Sequence, residues 1–128
     1  MIQNLRIMLI DDSKTMRNIQ RTMLAQMGVE QMEEASDGQD ALSKLGAFLP
    51  DLVLCDWNMP TCDGLEFVKQ ARARGFTAPI IMVTTESEKT KVVTAIRAGV
   101  NNYVVKPFTQ EVLSARITET LAKRAAAA

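Results

Sequence analysis

Four short apolar runs, each followed by a polar residue, constrain the fold of this chain more than any other feature. The runs are Leu5–Ile10, Leu52–Cys55, Pro79–Val83 and Tyr103–Val105. Strands that are apolar along nearly their whole length are typical of a parallel sheet covered on both faces, because a strand with one solvated face alternates apolar and polar residues. The segments between the runs show the three- and four-residue spacings of helices. This alternation predicts an α/β protein.

The intervening segments predict five helices and one weaker strand, the second, near Val29–Glu34. The apolar helix positions are Met16, Ile19, Met23 and Met27; Ala41, Leu42 and Leu45; Leu65, Val68 and Ala71; Val92, Val93 and Ile96; and Leu113, Ile117 and Leu121. Glycines predict most of the helix ends, and the second helix is expected to end before Gly46. Five strands alternating with five helices favour a flavodoxin-like (βα)5 doubly wound parallel sheet in the order 2-1-3-4-5.

Size and composition narrow the possible functions. The 128 residues, 47% of them apolar, fit a single domain over residues 1–128 with no effector domain. Fifteen basic and fifteen acidic residues cancel, which argues against binding to nucleic acid or to an anionic membrane surface. No apolar run spans a bilayer and no signal peptide is recognisable, so we expect a cytoplasmic protein. The absence of histidine excludes Ser/His/Asp catalysis and a phosphohistidine on this chain.

Chemically useful side chains follow the predicted strands. Asp11 and Asp12 follow the first predicted strand, Asp56 follows the third, and Thr84 and Lys106 follow the fourth and fifth. In a doubly wound sheet, ligands bind beyond the carboxyl ends of the strands where the strand order reverses, here between strands one and three. Clustered carboxylates repel one another, so the arrangement makes physical sense when a hard cation and a lysine share the site. The sequence therefore predicts a magnesium-dependent phosphoryl site.

Each side chain can be given a role from its chemistry. Asp12 and Asp56 are the preferred direct Mg²⁺ ligands, with Asp11 acting partly through water. Asp56 is also the candidate nucleophile, because a carboxylate can attack phosphorus to give an acyl phosphate. Lys106 would neutralise charge on the transferred group, and Thr84 would donate a hydrogen bond to a phosphoryl oxygen.

Purely structural explanations exist for the same residues taken singly. An aspartate at a strand end often caps the next helix, and Lys106 before a proline can be a solvated loop residue. Thr84 has a close competitor in Thr85, and Tyr103 is by default a half-buried strand residue. Only the joint arrangement at four strand ends favours a functional site.

From about Leu5 to Leu121 the chain resembles the response-regulator receiver domains, and among them those of chemotaxis. The motifs that carry the resemblance are Asp11–Ser13 with Thr15–Arg17, Asp56–Pro60 with Asp63–Gly64, Met82–Thr84, and Tyr103–Phe108. The resemblance covers almost the whole chain.

The resemblance implies a specific chemistry. Asp56 would receive a phosphoryl group from a phosphohistidine on a sensor histidine kinase of the CheA type. The backbone carbonyl of Asn58 would join Asp12 and Asp56 on Mg²⁺, and Lys106 would precede a cis proline bond. Asn58 and Glu86 would set the speed of self-catalysed dephosphorylation, and their combination resembles the fast chemotaxis type, which implies a short-lived signal.

The resemblance also implies an output surface on a monomeric protein. Thr84 would move toward the phosphoryl group and Tyr103 would swing inward, reshaping the face of helix four, strand five and helix five. In chemotaxis proteins that face binds the flagellar motor switch protein FliM, and a phosphatase is a further possible partner. Here the face would include Lys89, Val92, Tyr103 and Arg116. Two residues depart from the family pattern: Glu88 is acidic where enteric relatives tend to be basic, and Thr85 replaces a smaller residue.

Three alternative functions share features with this sequence. Phosphatases of the haloacid dehalogenase type carry a general-acid aspartate two residues after the nucleophile, but Asn58 occupies that position here and the chain lacks length for a cap domain. A flavodoxin-like flavin carrier would need a Ser/Thr/Gly-rich phosphate loop after strand one. No such loop is present in the sequence, and Asp11 and Asp12 at that position would repel a phosphate. A phosphorelay intermediate, or a regulator of a non-flagellar motility system, stays open.

Overall fold

The computed structural model describes residues 4–59 and 61–127, and for residues 86, 87, 89 and 125–127 only the backbone. Its strands are β1 (Arg6–Ile10), β2 (Gln31–Ala35), β3 (Leu52–Asp56), β4 (Ile80–Thr84) and β5 (Asn102–Val105). Its α-helices are α1 (Lys14–Gln26), α2 (Gly38–Phe48), α3 (Gly64–Ala73), α4 (Val92–Ala98) and α5 (Gln110–Ala127), and a 3₁₀ segment, Glu86–Lys91, precedes α4.

The five strands form one parallel sheet in the order β2-β1-β3-β4-β5, which confirms the predicted flavodoxin-like topology. The register pairs Ile10 of β1 with Cys55 of β3, and Thr84 of β4 with Val105 of β5. The residues that end or directly follow these strands therefore lie along one edge of the sheet. That edge is where the sequence predicts the site.

The sheet separates two apolar cores. Every residue of β3 and of β4 is buried, because helices cover both faces. On one face the core is built around Phe67 and Val68 of α3. On the other it includes Leu24 of α1 and Leu113 and Ile117 of α5. Within the residues described, no helix has the length and apolar character needed to cross a membrane.

Two predicted boundaries differ from the structure. Strand β2 covers Gln31–Ala35 and so begins two residues later than expected. The expected end of α2 before Gly46 is wrong, because Gly46 stays helical and α2 continues to Phe48. The left-handed residue that ends this helix is Leu49, with φ of 53°, rather than a glycine.

The predicted buried face of α1 is displaced. Ile19 is 41% exposed, while Gln20 and Leu24 are buried. Gln20 and Leu24 are one helical turn apart and so share a face, which lies one residue round from Ile19. Because Gln20 is polar, a search for regularly spaced apolar residues does not identify this face as the buried one.

The predicted buried face of α4 is also only partly right. Val92 and Ala95 are buried, whereas Val93 and Ile96 are 58% and 52% exposed. With seven residues, α4 makes two turns, and one buried pair three residues apart is enough to attach it to the core. By contrast, the predicted core positions Ala41, Leu42 and Leu45 of α2 and Leu113 and Ile117 of α5 are buried.

Candidate functional site

Three aspartates converge at the carboxyl edge of the sheet. Oxygen atoms of Asp11, Asp12 and Asp56 all lie within 4.8 Å of one another. Asp11 and Asp56 are buried, at 1% and 4% exposure, and Asp12 is exposed. The structure therefore brings together the three carboxylates singled out from the sequence, two inside the protein and one open to solvent.

Asp11 is held by the turn that leads into α1. The backbone N–H of Ser13 donates a 2.9 Å hydrogen bond to Asp11 Oδ1, and Ser13 Oγ in turn accepts from Met16 N–H at the start of the helix. The Arg17 guanidinium donates to the backbone oxygen of Asp11 at 2.7 Å and to Glu34 Oε1 at 2.8 Å. Asp11 Oδ2 is buried and has no hydrogen-bond partner among the described residues. One carboxylate oxygen is thus fixed and the other is left available.

Burial is the main influence on both inner carboxyl groups. It raises the pKa of Asp11, although the Ser13 N–H and the positive charge of Lys106 oppose the rise. It also raises the pKa of Asp56, where the hydrogen bond from Lys106 opposes the rise and the charge of Asp11 adds to it. Two buried carboxylates therefore destabilise each other in their charged forms.

Lys106 follows β5 and extends across the edge of the sheet to Asp56. Its Nζ lies 2.9 Å from Asp56 Oδ1, and its side chain is 21% exposed. Burial by itself would lower the pKa of Lys106, but the hydrogen bond to Asp56 and the charges of Asp56, Asp11 and Glu88 outweigh it and raise the pKa. Lys106 is therefore an ammonium at neutral pH. The Lys106–Pro107 peptide bond is cis, as the resemblance implies.

The donor set suits a hard divalent cation. Mg²⁺ prefers oxygen ligands, and three carboxylates with one free buried oxygen, Asp11 Oδ2, supply them. A cation would also offset the repulsion between neighbouring carboxylates, which adds to the rise in pKa that burial causes. The residues present thus fit the predicted metal.

Thr84 lies at the end of β4, fully buried. Its hydroxyl donates to the backbone oxygen of Thr85 at 3.2 Å, and its own backbone oxygen accepts from Lys106 N–H at 2.8 Å. The hydroxyl is thus engaged within its own loop, next to the strand end that carries Lys106.

The predicted partner face is only partly described. Tyr103 of β5 is half-buried, and the Arg116 guanidinium lies over its ring, 5.7 Å from the centroid. Val92 is buried at 8% exposure, so it offers little surface. The side chains of Lys89 and Glu86 lie outside the described residues.

Two helices of that face, α4 and α5, also expose apolar side chains that the sequence pattern does not predict. Val93 and Ile96 of α4 and Val112 of α5 are each more than 40% exposed. The apolar spacing predicts that the first two lie on the core face of α4. Because α4 has only seven residues, its apolar positions repeat too few times to distinguish the buried face from the exposed face.

Glu88, which departs from the family pattern, makes contacts that the sequence does not predict. Its side chain is 7% exposed and hydrogen-bonds to Asn58 and Thr85. The spacing Thr85-x-x-Glu88 is typical of a capping box and could have predicted the hydrogen bond from Thr85 N–H to Glu88, but not the contact with Asn58.

Gly64 is a second residue whose contact was missed. It begins α3 directly against the end of β3, where its N–H donates to Trp57 O at 2.9 Å. A Cβ atom at Gly64 would lie 2.3 Å from the backbone oxygen of Asp56. Only glycine permits this approach of helix to strand.

Known proteins with similar sequences and structures indicate the family of this chain. The chain matches the response regulator receiver domain family over residues 7–118. It is 47% identical over 120 residues to chemotaxis protein CheY1 of Helicobacter pylori, covering 91% of this chain and 97% of that protein. A CheY homolog of Campylobacter jejuni is 45% identical over 120 residues, covering 91% and 92%. The solved structure of the chemotaxis response regulator CheY4 of Vibrio cholerae superposes with a TM-score of 0.83 at 32% identity, covering 91% of this chain and 98% of that one.

This chain therefore belongs to the response regulator receiver family, the receiver domains of two-component signalling systems. Within that family it is a receiver of the CheY type. The resemblance drawn from the sequence motifs is confirmed, and the protein is a signalling domain rather than an enzyme that acts on external substrates.

Proposed function

We propose that this protein is a phosphorylation-activated response regulator and that Asp56 accepts the phosphoryl group. The observation that carries the proposal is the position of Asp56, a buried carboxylate 2.9 Å from the ammonium of Lys106 and grouped with two further aspartates. Burial of Asp56 removes water that would compete with a phosphodonor, and Lys106 offsets negative charge where the phosphoryl group would arrive.

By family resemblance the donor is a phosphohistidine, and it lies on a partner kinase because this chain contains no histidine. An oxygen of Asp56 forms a bond to phosphorus while the bond between phosphorus and the histidine nitrogen breaks. The electron pair of the broken bond stays on the imidazole, which takes a proton from solvent. The product is an acyl phosphate on Asp56. The protein thus promotes its own modification without turning over a free substrate.

Four groups would hold Mg²⁺ in this proposal: the carboxylates of Asp11, Asp12 and Asp56 and the backbone carbonyl of Asn58. When bound, the ion supplies positive charge that offsets the carboxylates and the phosphoryl oxygens. Lys106 pairs with one phosphoryl oxygen. The Thr84 hydroxyl leaves the carbonyl of Thr85 and donates to another.

The signal ends when the acyl phosphate on Asp56 is hydrolysed. A water molecule attacks phosphorus, the bond to Asp56 breaks, its electron pair returns to the carboxylate, and inorganic phosphate leaves. Asn58, exposed beside Asp56, and Glu86 would control how water reaches the phosphorus. By family resemblance, this pair gives a signal that decays quickly.

We propose that α4, β5 and α5 form the output face. Movement of Thr84 would draw Tyr103 inward from beneath Arg116, and Lys89 and Val92 would lie on the same face. Apolar side chains are exposed on two of these elements, Val93 and Ile96 on α4 and Val112 on α5, which supports the use of this region for docking.

The chemotaxis names of the relatives point to the partners. We propose a CheA-type histidine kinase as the donor and a FliM-type motor switch protein as the target. In this proposal the protein works as a cytoplasmic monomer with a single domain.

Trp57 provides the test, because it is the only tryptophan and directly follows Asp56. Its fluorescence would be followed while Mg²⁺ and then acetyl phosphate are added to the wild type and to Asp56→Asn. We expect a Mg²⁺-dependent change that acetyl phosphate extends in the wild type alone. Equal responses of the two proteins would refute phosphorylation of Asp56.

The partner assignment needs its own measurement. Binding of a FliM-type peptide and of a histidine phosphotransfer domain would be compared with and without beryllofluoride, which mimics the phosphoryl group. A motor regulator gains affinity for the peptide on activation. A relay intermediate binds the phosphotransfer domain instead, and that result would replace the motor assignment.

A further inference from the structure

The carboxylate of Glu88 joins two loops at the opening of the site. One oxygen, Oε1, accepts hydrogen bonds from the backbone N–H of Thr85 at 3.2 Å and from its hydroxyl at 3.0 Å. The other, Oε2, accepts from the side-chain amide of Asn58. We call this arrangement the Glu88 bridge: it connects the loop after β3, through Asn58, to the loop after β4, through Thr85.

Helix capping explains only half of the bridge. A glutamate three residues after a threonine commonly accepts the backbone N–H of that threonine at the start of a helical segment, and Oε1 does this here. Capping gives no reason for Oε2 to contact Asn58, which is thirty residues earlier in the chain. The second contact spans the site rather than ending a helix.

The bridge brings a fourth negative charge to a site that already holds three aspartates. The three hydrogen-bond donors found for Glu88 among the described side chains are uncharged, so they orient the carboxylate without neutralising it. The charge reaches the site, because Glu88 contributes to the raised pKa of Lys106. The same charge that favours the ammonium opposes an incoming anion.

The bridge also fixes the loop that carries the switch threonine. Thr85 is held through its N–H and hydroxyl by Glu88, and its carbonyl accepts from the Thr84 hydroxyl. A hydrogen-bonded chain therefore runs from Asn58 through Glu88 and Thr85 to Thr84. For Thr84 to donate to a phosphoryl oxygen, the last link of that chain has to break.

We propose that Glu88 is a positioning residue that holds the site in its resting arrangement and slows the reaction of anionic phosphodonors with Asp56. The inference rests on the proposed function of Asp56. A phosphoryl group on Asp56 adds negative charge close to Glu88, so repulsion opens the bridge and releases Thr85 and Thr84 together. Opening the bridge would thus couple the chemistry to the loop that leads into α4.

Two substitutions separate the charge of Glu88 from its hydrogen bonds. Glu88→Gln removes the charge but keeps an oxygen that can accept from Thr85. Glu88→Ala removes both. Glu30→Gln is the matched control, because it removes one charge from the exposed loop before β2, at the opposite end of the sheet. Circular dichroism and thermal unfolding would confirm that each variant is folded.

The measured quantity is the second-order rate constant for reaction with acetyl phosphate in saturating Mg²⁺, followed by Trp57 fluorescence. Acetyl phosphate transfers its phosphoryl group to Asp56 as the bond between phosphorus and the acetate oxygen breaks. At low salt we expect Glu88→Gln to react roughly five-fold faster than wild type, an advantage that decreases in high salt as charges are screened. Glu88→Ala should keep a faster rate in high salt as well, because it also lacks the bridge. Glu30→Gln should match wild type.

The outcomes are distinguishable. If wild type and Asp56→Asn respond alike, the proposed phosphoacceptor is wrong and the role of Glu88 is refuted with it. If wild type reacts but both Glu88 variants stay within two-fold of Glu30→Gln, only the role of Glu88 is refuted. A faster Glu88→Gln whose advantage persists unchanged in high salt would contradict the electrostatic part of the inference.

Discussion

Lys106 and Asp56 form a 2.9 Å ion pair that spans the end of β4, with the lysine following β5 and the aspartate ending β3. The pair joins strands that are not neighbours in the sheet. It offsets the cost of burying Asp56, and it occupies an oxygen of a proposed metal ligand. Lysine and cation therefore compete for the same carboxylate.

Replacing Lys106 should strengthen metal binding while weakening the response to phosphodonors. In Lys106→Gln the carboxylates lose a positive neighbour, so we expect Mg²⁺ to bind roughly five-fold more tightly at pH 7.5 and low salt. Acetyl phosphate should then produce a smaller change, because the ammonium that pairs with the phosphoryl group is missing. Trp57 fluorescence measures both. Lys69→Gln, on the exposed surface of α3, is the control, and equal Mg²⁺ affinity in the two variants would disprove the competition.

Asp11 should make the metal-free protein less stable as the pH rises. Its pKa is higher in the folded state than in the unfolded state, so its contribution to stability falls between the unfolded-state and folded-state pKa values and stays low above them. Asp11→Asn removes the charge, and its Oδ1 can still accept from Ser13. We expect the variant to be more stable by about 1 kcal/mol at pH 7.5, with the difference shrinking toward pH 4.

Urea unfolding at the two pH values without divalent cations measures this effect. Glu30→Gln, an exposed charge removal, should show no comparable pH-dependent gain. A variant that is less stable than wild type at pH 7.5 would show that the charge of Asp11 does not destabilise the folded protein.

Two glycines should respond oppositely to the same substitution. Gly64→Ala would force a Cβ against the backbone of Asp56 and should lower the free energy of unfolding by about 1–3 kcal/mol. Gly46→Ala adds a methyl group on α2 that would meet nothing beyond the helix's own backbone within 4 Å, and should raise stability by up to about 1 kcal/mol. Thermal and urea unfolding compare them directly. Equal effects at both positions would contradict the close contact at Gly64.

Arg72 should matter for stability although it is far from the aspartates. Its guanidinium donates to the backbone oxygens of Phe76, Ala78 and Gly99 and to the side chain of Asn101. Arg72→Met would leave these acceptors without their charged donor and should cost about 3 kcal/mol. Arg74→Met, an exposed neighbour, should cost much less in the same urea titration. Similar losses would mean that the bonds of Arg72 contribute little.

The fold and the aspartate cluster were predictable because they depend on short-range patterns. Strands β3 and β4 are apolar at nearly every position, which specifies a covered parallel sheet. Parallel strands then carry Asp11, Asp56 and Lys106 to one edge, whatever the details of the helices.

The features that were not predictable depend on contacts between distant parts of the chain. Gln20 of α1 is buried although glutamine is a polar residue, and Leu49 rather than a glycine ends α2. The link between Asn58 and Glu88 depends on how two loops approach each other. No local spacing specifies such a contact.

The side chains at the site come from the ends of β1, β3, β4 and β5, which span positions 11 to 106 of the sequence. In an unfolded chain these groups are scattered, so a ligand that needs them together binds only the folded state. Its binding free energy is then added to the stability of the whole sheet, by about 2.7 kcal/mol at a hundred times the dissociation constant. The melting temperature of the protein is therefore itself a measure of how fully the aspartate site is occupied.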